Sequence, residues 1–162
     1  MKAFRYSSEV LLDAPLADVF EFFSKAENLE KLSPTSLRFE ILTPLPIVMK
    51  TGCLIDYRLR IHRIPVRWRT EISVWEPGVR FVDRQLSGPY TKWVHEHKFK
   101  AEGNKTRMWD SVDYALPFGP IGLIAHALFV RKEIEGIFRY RAEAIDKWLA
   151  SRAQQATPKV AA

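Results

Sequence analysis

A single cysteine, Cys53, stands in 162 residues. It excludes an internal disulfide framework and any multi-cysteine metal centre. No apolar run approaches the roughly 18 residues of a membrane-spanning helix, and the opening residues, MKAFRYSSEVLLDAP, lack the apolar stretch and cleavage signal of a secretory leader. The expectation is a cytoplasmic chain with no integral membrane segment. Also missing are a Gly-x-Ser-x-Gly elbow, a phosphate-binding glycine loop and a dinucleotide fingerprint. Their absence removes the usual sequence grounds for a serine hydrolase, a nucleotide enzyme or a bound cofactor.

What is present is an ordinary globular composition, 47% hydrophobic and 27% charged, in a length that suits one domain. The net charge of +6 raises the question of an anionic partner. Yet the basic residues alternate along strands, as in Arg58, Arg60, Arg67 and Arg69, with acids interleaved. A solvated sheet face accounts for that pattern, so no nucleic-acid partner is expected. An interaction module using the arginine-rich face remains as an alternative. Nothing in the pattern specifies an oligomeric state.

The most informative stretch is 90-YTKWVHEHKFKAEGNKTRMWDSVDYALP-117. Aromatic and β-branched residues alternate with charged ones on both sides of Gly103-Asn104, a pair suited to a two-residue hairpin turn. Strands over 90–101 and 105–115 then pair Phe99 with Met108, His97 with Asp110, His95 with Val112 and Trp93 with Tyr114. The apolar face of the hairpin therefore carries two histidines and an aspartate. Such groups are tolerated inside a protein only when paired or hydrated, so a polar-lined interior is expected.

Around this hairpin the rest of the chain falls into place. Residues 3–12 read as a strand, with Asp13 as helix N-cap and Pro15 in the first turn of a helix over 15–24. A second short helix covers 26–32 and a short strand 37–43. The Pro-rich loop 44–52 is expected to pack its Ile47, Val48 and Met49 down, the alternative being a lid over an opening. Strands 53–62, 66–76 and 79–87 follow. Two-residue turns set Leu59 opposite Trp68, Tyr57 opposite Thr70, Val74 opposite Phe81 and Ile72 opposite Asp83. A three-residue loop at Ser87-Gly88-Pro89 then sets Asp83 beside Trp93 and Phe81 beside His95. A long helix over 121–151 carries Ile124, Leu128, Ile134, Ile137 or Phe138, Ile145 and Trp148 or Leu149 at helical spacing. Such a stripe needs a partner of equal length, and the twisted antiparallel sheet is the candidate. One domain over 1–151 and a disordered tail over 152–162 are expected.

This is an α+β arrangement, a curved antiparallel sheet wrapped round a long C-terminal helix with two short helices after strand 1, the order of the helix-grip fold. The segments 12-LDAPLADVFEFFSKAENLEKLSP-34, 76-EPGVRFVDRQLSGPYTKWVHEHKF-99, 105-KTRMWDSVDYALPFGPIG-122 and 137-IFRYRAEAI-145 add to it. Gly-Pro-Tyr, then Trp-x-His-x-His-x-Phe, then Asp-x-Val-x-Tyr resembles the START-like (SRPBCC) superfamily, in particular its polyketide cyclase/dehydrase-type ligand-binding members. The resemblance implies a cavity between sheet and helix for a small hydrophobic or aromatic molecule, lipid- or polyketide-like. It does not imply one activity, because such folds carry many.

The residues expected to meet that ligand are Tyr57, Trp68, Asp83, Trp93, His95, His97, Asp110, Tyr114, Ile134 and Phe138. His97 with Asp110 is the candidate catalytic pair, since a carboxylate across a strand pair can orient an imidazole as general base in a cyclase- or dehydratase-like enzyme. The plainer reading is a buried His–Asp hydrogen bond that pins strand register. His-x-His on a strand, with Asp110 nearby, is a weak metal pattern without a second anchoring motif, and no metal is expected from it. Asp83 is expected to accept a hydrogen bond from a neighbouring indole or phenol.

Overall fold

The computed structural model describes residues 2–156. Seven strands, β1 Ala3–Leu12, β2 Glu40–Ile41, β3 Leu54–Ile61, β4 Ile64–Glu76, β5 Arg80–Ser87, β6 Lys92–Glu102 and β7 Lys105–Ala115, form one antiparallel sheet. Their order is β1-β7-β6-β5-β4-β3-β2. Helix α1, Leu16–Ser24, and a 3-10 turn, Ala26–Leu29, follow β1. The described residues end in α2, Gly119–Ala125, a π-turn, His126–Val130, and α3, Arg131–Ala156. This is the helix-grip architecture. Helix α3 runs past the expected end at 151, and the rest of the expected tail, 157–162, lies outside the described residues.

Alternation of apolar and charged residues makes each strand two-faced, and the turns decide which residues meet. In the β6–β7 hairpin Gly103 takes a φ of 62°, and every expected pair forms, from Phe99 with Met108 to Trp93 with Tyr114. Elsewhere the turns differ from expectation. Between β3 and β4 the turn residues are His62 and Arg63, both with positive φ, as a tight primed hairpin turn requires. Tyr57 therefore pairs with Trp68, and Leu59 with Val66. The slip is two residues, so the inward face is unchanged.

At the β4–β5 corner Glu76 pairs with Arg80, which leaves a three-residue connection in place of two. That one-residue slip turns Trp75 inward, opposite Phe81, and moves Val74 off the inner face. A bulge between Ile72 and Val74 absorbs the extra residue and restores Ile72 opposite Asp83. The β5–β6 loop is longer than three residues. Its Gln85 amide donates to the Tyr90 carbonyl at 2.6 Å and accepts from the Tyr90 N–H at 3.3 Å. Asp83 is thereby set beside His95, and Phe81 beside His97.

Three apolar clusters fill the space between sheet and helices. Val19, Phe22 and Phe23 of α1 pack with Phe81, Phe99, Met108 and Ile145. Tyr57, Leu59, Trp68 and Ile72 form a second cluster, against which Ile47 and Met49 pack. Val112, Tyr114, Ile134 and Phe138 make the third. Val48, by contrast, points outward.

Further expectations change, among them the short helix over 26–32, which forms only as the 3-10 turn Ala26–Leu29. Asp13 does not cap α1, whose N-cap residue Pro15 offers no side-chain bond. The expected strand 37–43 contracts to Glu40–Ile41. Ile124 and Leu128 are exposed rather than inward, because the π-turn holds more residues than an α turn and breaks the phase with the stripe that begins at Ile134. Ile134, Phe138 and Ile145 are buried.

Candidate functional site

Period-two alternation sends His95 and His97 of β6 to the same inner face, with ring centroids 3.9 Å apart. Asp110 arrives from β7, Asp83 from β5 and Arg141 from α3. His95, His97 and Asp110 are each about 5% exposed. The Asp110 carboxylate accepts from His95 Nε2 through Oδ1 and from Arg141 Nη1 through Oδ2 at 3.1 Å. His97, though directly opposite Asp110 in the ladder, approaches it only at 3.4 Å through Nδ1. The bonded pair is thus His95–Asp110 rather than the expected His97–Asp110. Side-chain direction, not register, makes the choice.

Asp83 departs furthest from expectation. It does not lie beside Trp93. Its Oδ2 faces His95 Nδ1 at 3.6 Å and His97 Nε2 at 3.6 Å. Two buried atoms among the described residues have no hydrogen-bond partner, His97 Nδ1 and Arg141 Nε. In a dry setting each unmade bond is costly.

Electrostatics follow from this packing. Burial works against a charge on Asp110, but the fields of His95, His97 and Arg141, with the bond from His95, outweigh it and hold the carboxyl well below its ordinary value. Burial, reinforced by repulsion from His95, pushes His97 down, and the two aspartates oppose this only in part. The cluster is a fixed anion on the helix side of the histidines with a reluctant base beside it.

Next to the cluster lies a cavity of about 150 Å³. Its apolar walls include Tyr57, Trp68, Trp93, Ile134 and Phe138, and its polar end is Asp83, His95, His97 and Arg141. Asp110 and Tyr114 are not among its lining residues. Asp110 sits behind the histidines, and the Tyr114 hydroxyl meets His126 Nε2 at 2.9 Å. On the wall, the Thr70 hydroxyl meets the Tyr57 hydroxyl at 2.5 Å and accepts from the Trp68 indole at 3.0 Å. These bonds lock two large rings in place. Burial also raises the Tyr57 phenol, so it stays a neutral wall group.

Sequence reasoning missed Arg141. Its signal was its position: it falls three residues after Phe138 and four before Ile145, on the apolar stripe of α3, where a solvated arginine has no place. The outer face of the sheet is different. Arg58, Arg69, Arg80, Arg84 and Arg107 each engage a carboxylate there, which leaves their charge largely answered within the protein.

Comparisons with known proteins accord with this geometry. The model of the family described as polyketide cyclase / dehydrase and lipid transport matches residues 12–136. No curated protein gives a significant sequence match. Among solved structures, norcoclaurine synthase of Thalictrum flavum, a point mutant in complex with a transition-state analogue, is similar at 15% identity and a TM-score of 0.67, covering 94% of this chain and 97% of that one. Ara h 8.0201 is similar at 14% identity and a TM-score of 0.64, covering 93% of this chain and 99% of that one. The protein TTHA0849 from Thermus thermophilus is 23% identical with a TM-score of 0.59, covering 96% of this chain and 100% of that one. At these identities the likeness is one of fold.

Proposed function

The chain belongs to the polyketide cyclase / dehydrase and lipid transport family, and from that premise we propose that it binds a small, largely aromatic molecule with one polar end. The observation that carries the reading is the division of the cavity, with aromatic walls of Tyr57, Trp68 and Trp93 leading to the polar end at Asp83, His95, His97 and Arg141. A volume of about 150 Å³ suits roughly one aromatic ring, the part of the ligand that would seat against the polar end. The polar end favours a hydroxyl, which can donate to an imidazole nitrogen or the Asp83 carboxylate and accept from the guanidinium of Arg141.

Native mass spectrometry before and after organic extraction tests this, joined to titration of tryptophan fluorescence with phenols and benzoates, because Trp68 and Trp93 line the cavity. A retained organic mass, or saturable quenching that disappears when Ile134→Trp fills the cavity, is the expected result. No bound mass and no saturable response at millimolar probe would overturn it.

One observation favours a second reading, that of an acid–base enzyme. The bond to Asp110 engages Nε2 of His95, and the ring's other nitrogen faces the cavity end at Asp83, the arrangement of an oriented general base. That reading requires turnover whose pH profile collapses in both His95→Gln and Asp110→Asn.

A further inference from the structure

We propose that Asp83, His95 and His97 form a three-ligand site for one divalent transition ion of the zinc class, with its remaining position open to the cavity. Proton positions decide which ring nitrogens are free to bind. His95 Nε2 lies against Asp110 Oδ1, so the proton between them sits on Nε2, even though Arg141 Nη1 is also within 3.4 Å of that nitrogen. In the neutral ring Nδ1 is then a bare lone pair, and it faces the Asp83 carboxylate at 3.6 Å.

His97 repeats the pattern. Its Nδ1 faces Asp110 Oδ1 at 3.4 Å and is buried without a partner. A proton on Nδ1 makes that contact attractive and leaves Nε2 as a lone pair, again facing Asp83 at 3.6 Å. Two nitrogen lone pairs and one carboxylate oxygen therefore converge, all within 4.8 Å of one another. Three acceptors repel unless a cation sits among them.

The spacing suits such a cation. Ligands about 2.1 Å from a tetrahedral ion stand roughly 3.4 Å from each other; two of the three edges here are 3.6 Å and the third is within 4.8 Å. The surroundings also fit. A metal-bound histidine typically donates its other ring N–H to a carboxylate, and here one carboxylate, Asp110, stands behind both rings. Arg141 answers the charge of Asp110, while Asp83 has only the two histidines as ionic partners among the described residues. Three nitrogen and oxygen ligands with an open fourth position is the pattern of zinc sites that hold water or substrate. Asp83 is the anchor that the expected register hid beside Trp93. The site stands whether or not the cavity takes an organic molecule.

Chelator-treated protein titrated with Zn²⁺ by calorimetry, and with Co²⁺ by visible absorption, tests the proposal. One equivalent is expected, with the d–d bands of a four-coordinate, sulfur-free ion. Asp83→Asn and His97→Gln should each weaken binding at least about 100-fold, and Asp110→Asn about 10- to 100-fold with stoichiometry kept at one. His62→Gln/His126→Gln, which removes the two histidines outside the cluster, should leave it unchanged. Circular dichroism verifies each fold, and Asp83, the least buried of the three ligands, gives the decisive variant should His97→Gln misfold. Absence of saturable binding would overturn the site and mean that the trio shares protons instead. Binding that survives Asp83→Asn, or is lost in His62→Gln/His126→Gln, would overturn it as adventitious surface binding.

Discussion

Two regions of this molecule use the same residue types in opposite ways. On the outer sheet face, Arg69 clasps Asp56 through two bonds of 2.7 and 2.8 Å, with side chains 52% and 38% exposed. Inside, Arg141 meets Asp110 at a longer 3.1 Å, with side chains 11% and 7% exposed. The shorter contact is the less costly one to break. Water already solvates the outer ions, so closing the pair gains little, whereas the inner ions have given up water and depend on each other. The outer face can lose members freely; the inner cluster stands or falls as a unit.

Removing one inner charge tests this contrast most severely. Asp110→Ala should destabilise the fold by about 3–5 kcal/mol, because it strands Arg141 and leaves His95 without its acceptor. Denaturant unfolding reads this directly, and a loss below about 1 kcal/mol would erase the difference between the regions. Pairing it with Arg141→Met should return part of the loss.

Acidification of chelator-treated protein is the second test. His97 is depressed in the fold with Asp83, His95 and Asp110 around it, so the unfolded chain binds its proton first. Its contribution is present above the unfolded value, about 6.5, and is lost as pH falls below that. The depressed Asp110 adds a further loss below about 4. Stability should therefore fall on going from neutral to acid, and His97→Gln should flatten the upper part of the curve. An unchanged slope would mean that His97 does not titrate on unfolding.

Tyr57→Phe on the cavity wall should cost less, about 0.5–1.5 kcal/mol, since the Thr70 oxygen keeps its bond from the Trp68 indole. Thermal melts with and without an aromatic probe would separate wall rigidity from ligand contact. Arg69→Ala on the outer face should give the smallest change, close to the error of a melt and smaller still in roughly 0.5 M salt.

How much of this was visible in the sequence depends on what each feature encodes. The β6–β7 register was legible to the residue, because Gly103-Asn104 names its own turn. So were the inward faces of most strands, because alternation marks them. The loop between β5 and β6 was not legible: a two-residue change preserves alternation, so Asp83 beside Trp93 and Asp83 beside His95 leave the same pattern. Trp75 and Val74 exchanged roles because a three-residue corner and a bulge compensate each other, and neither leaves a mark on composition. His62 and Arg63 form a left-handed turn without a glycine or asparagine to announce it. Arg141 could have been found by asking why a charge sits on the apolar stripe between Phe138 and Ile145.

The two margins of the sheet also differ. At one, β2 contributes two residues and is followed by the prolines Pro44 and Pro46, so it presents almost no free backbone to another chain. At the other, β1 offers ten residues whose outer row of amides and carbonyls has no strand beyond it among the described residues. Self-association by strand addition would therefore be lopsided, with β1 as the template and β2 nearly mute. The exposed charges of β1 lean the other way, Arg5 to Asp113 and Glu9 to Arg107 of β7, so they steady the inner pairing rather than cover the open margin.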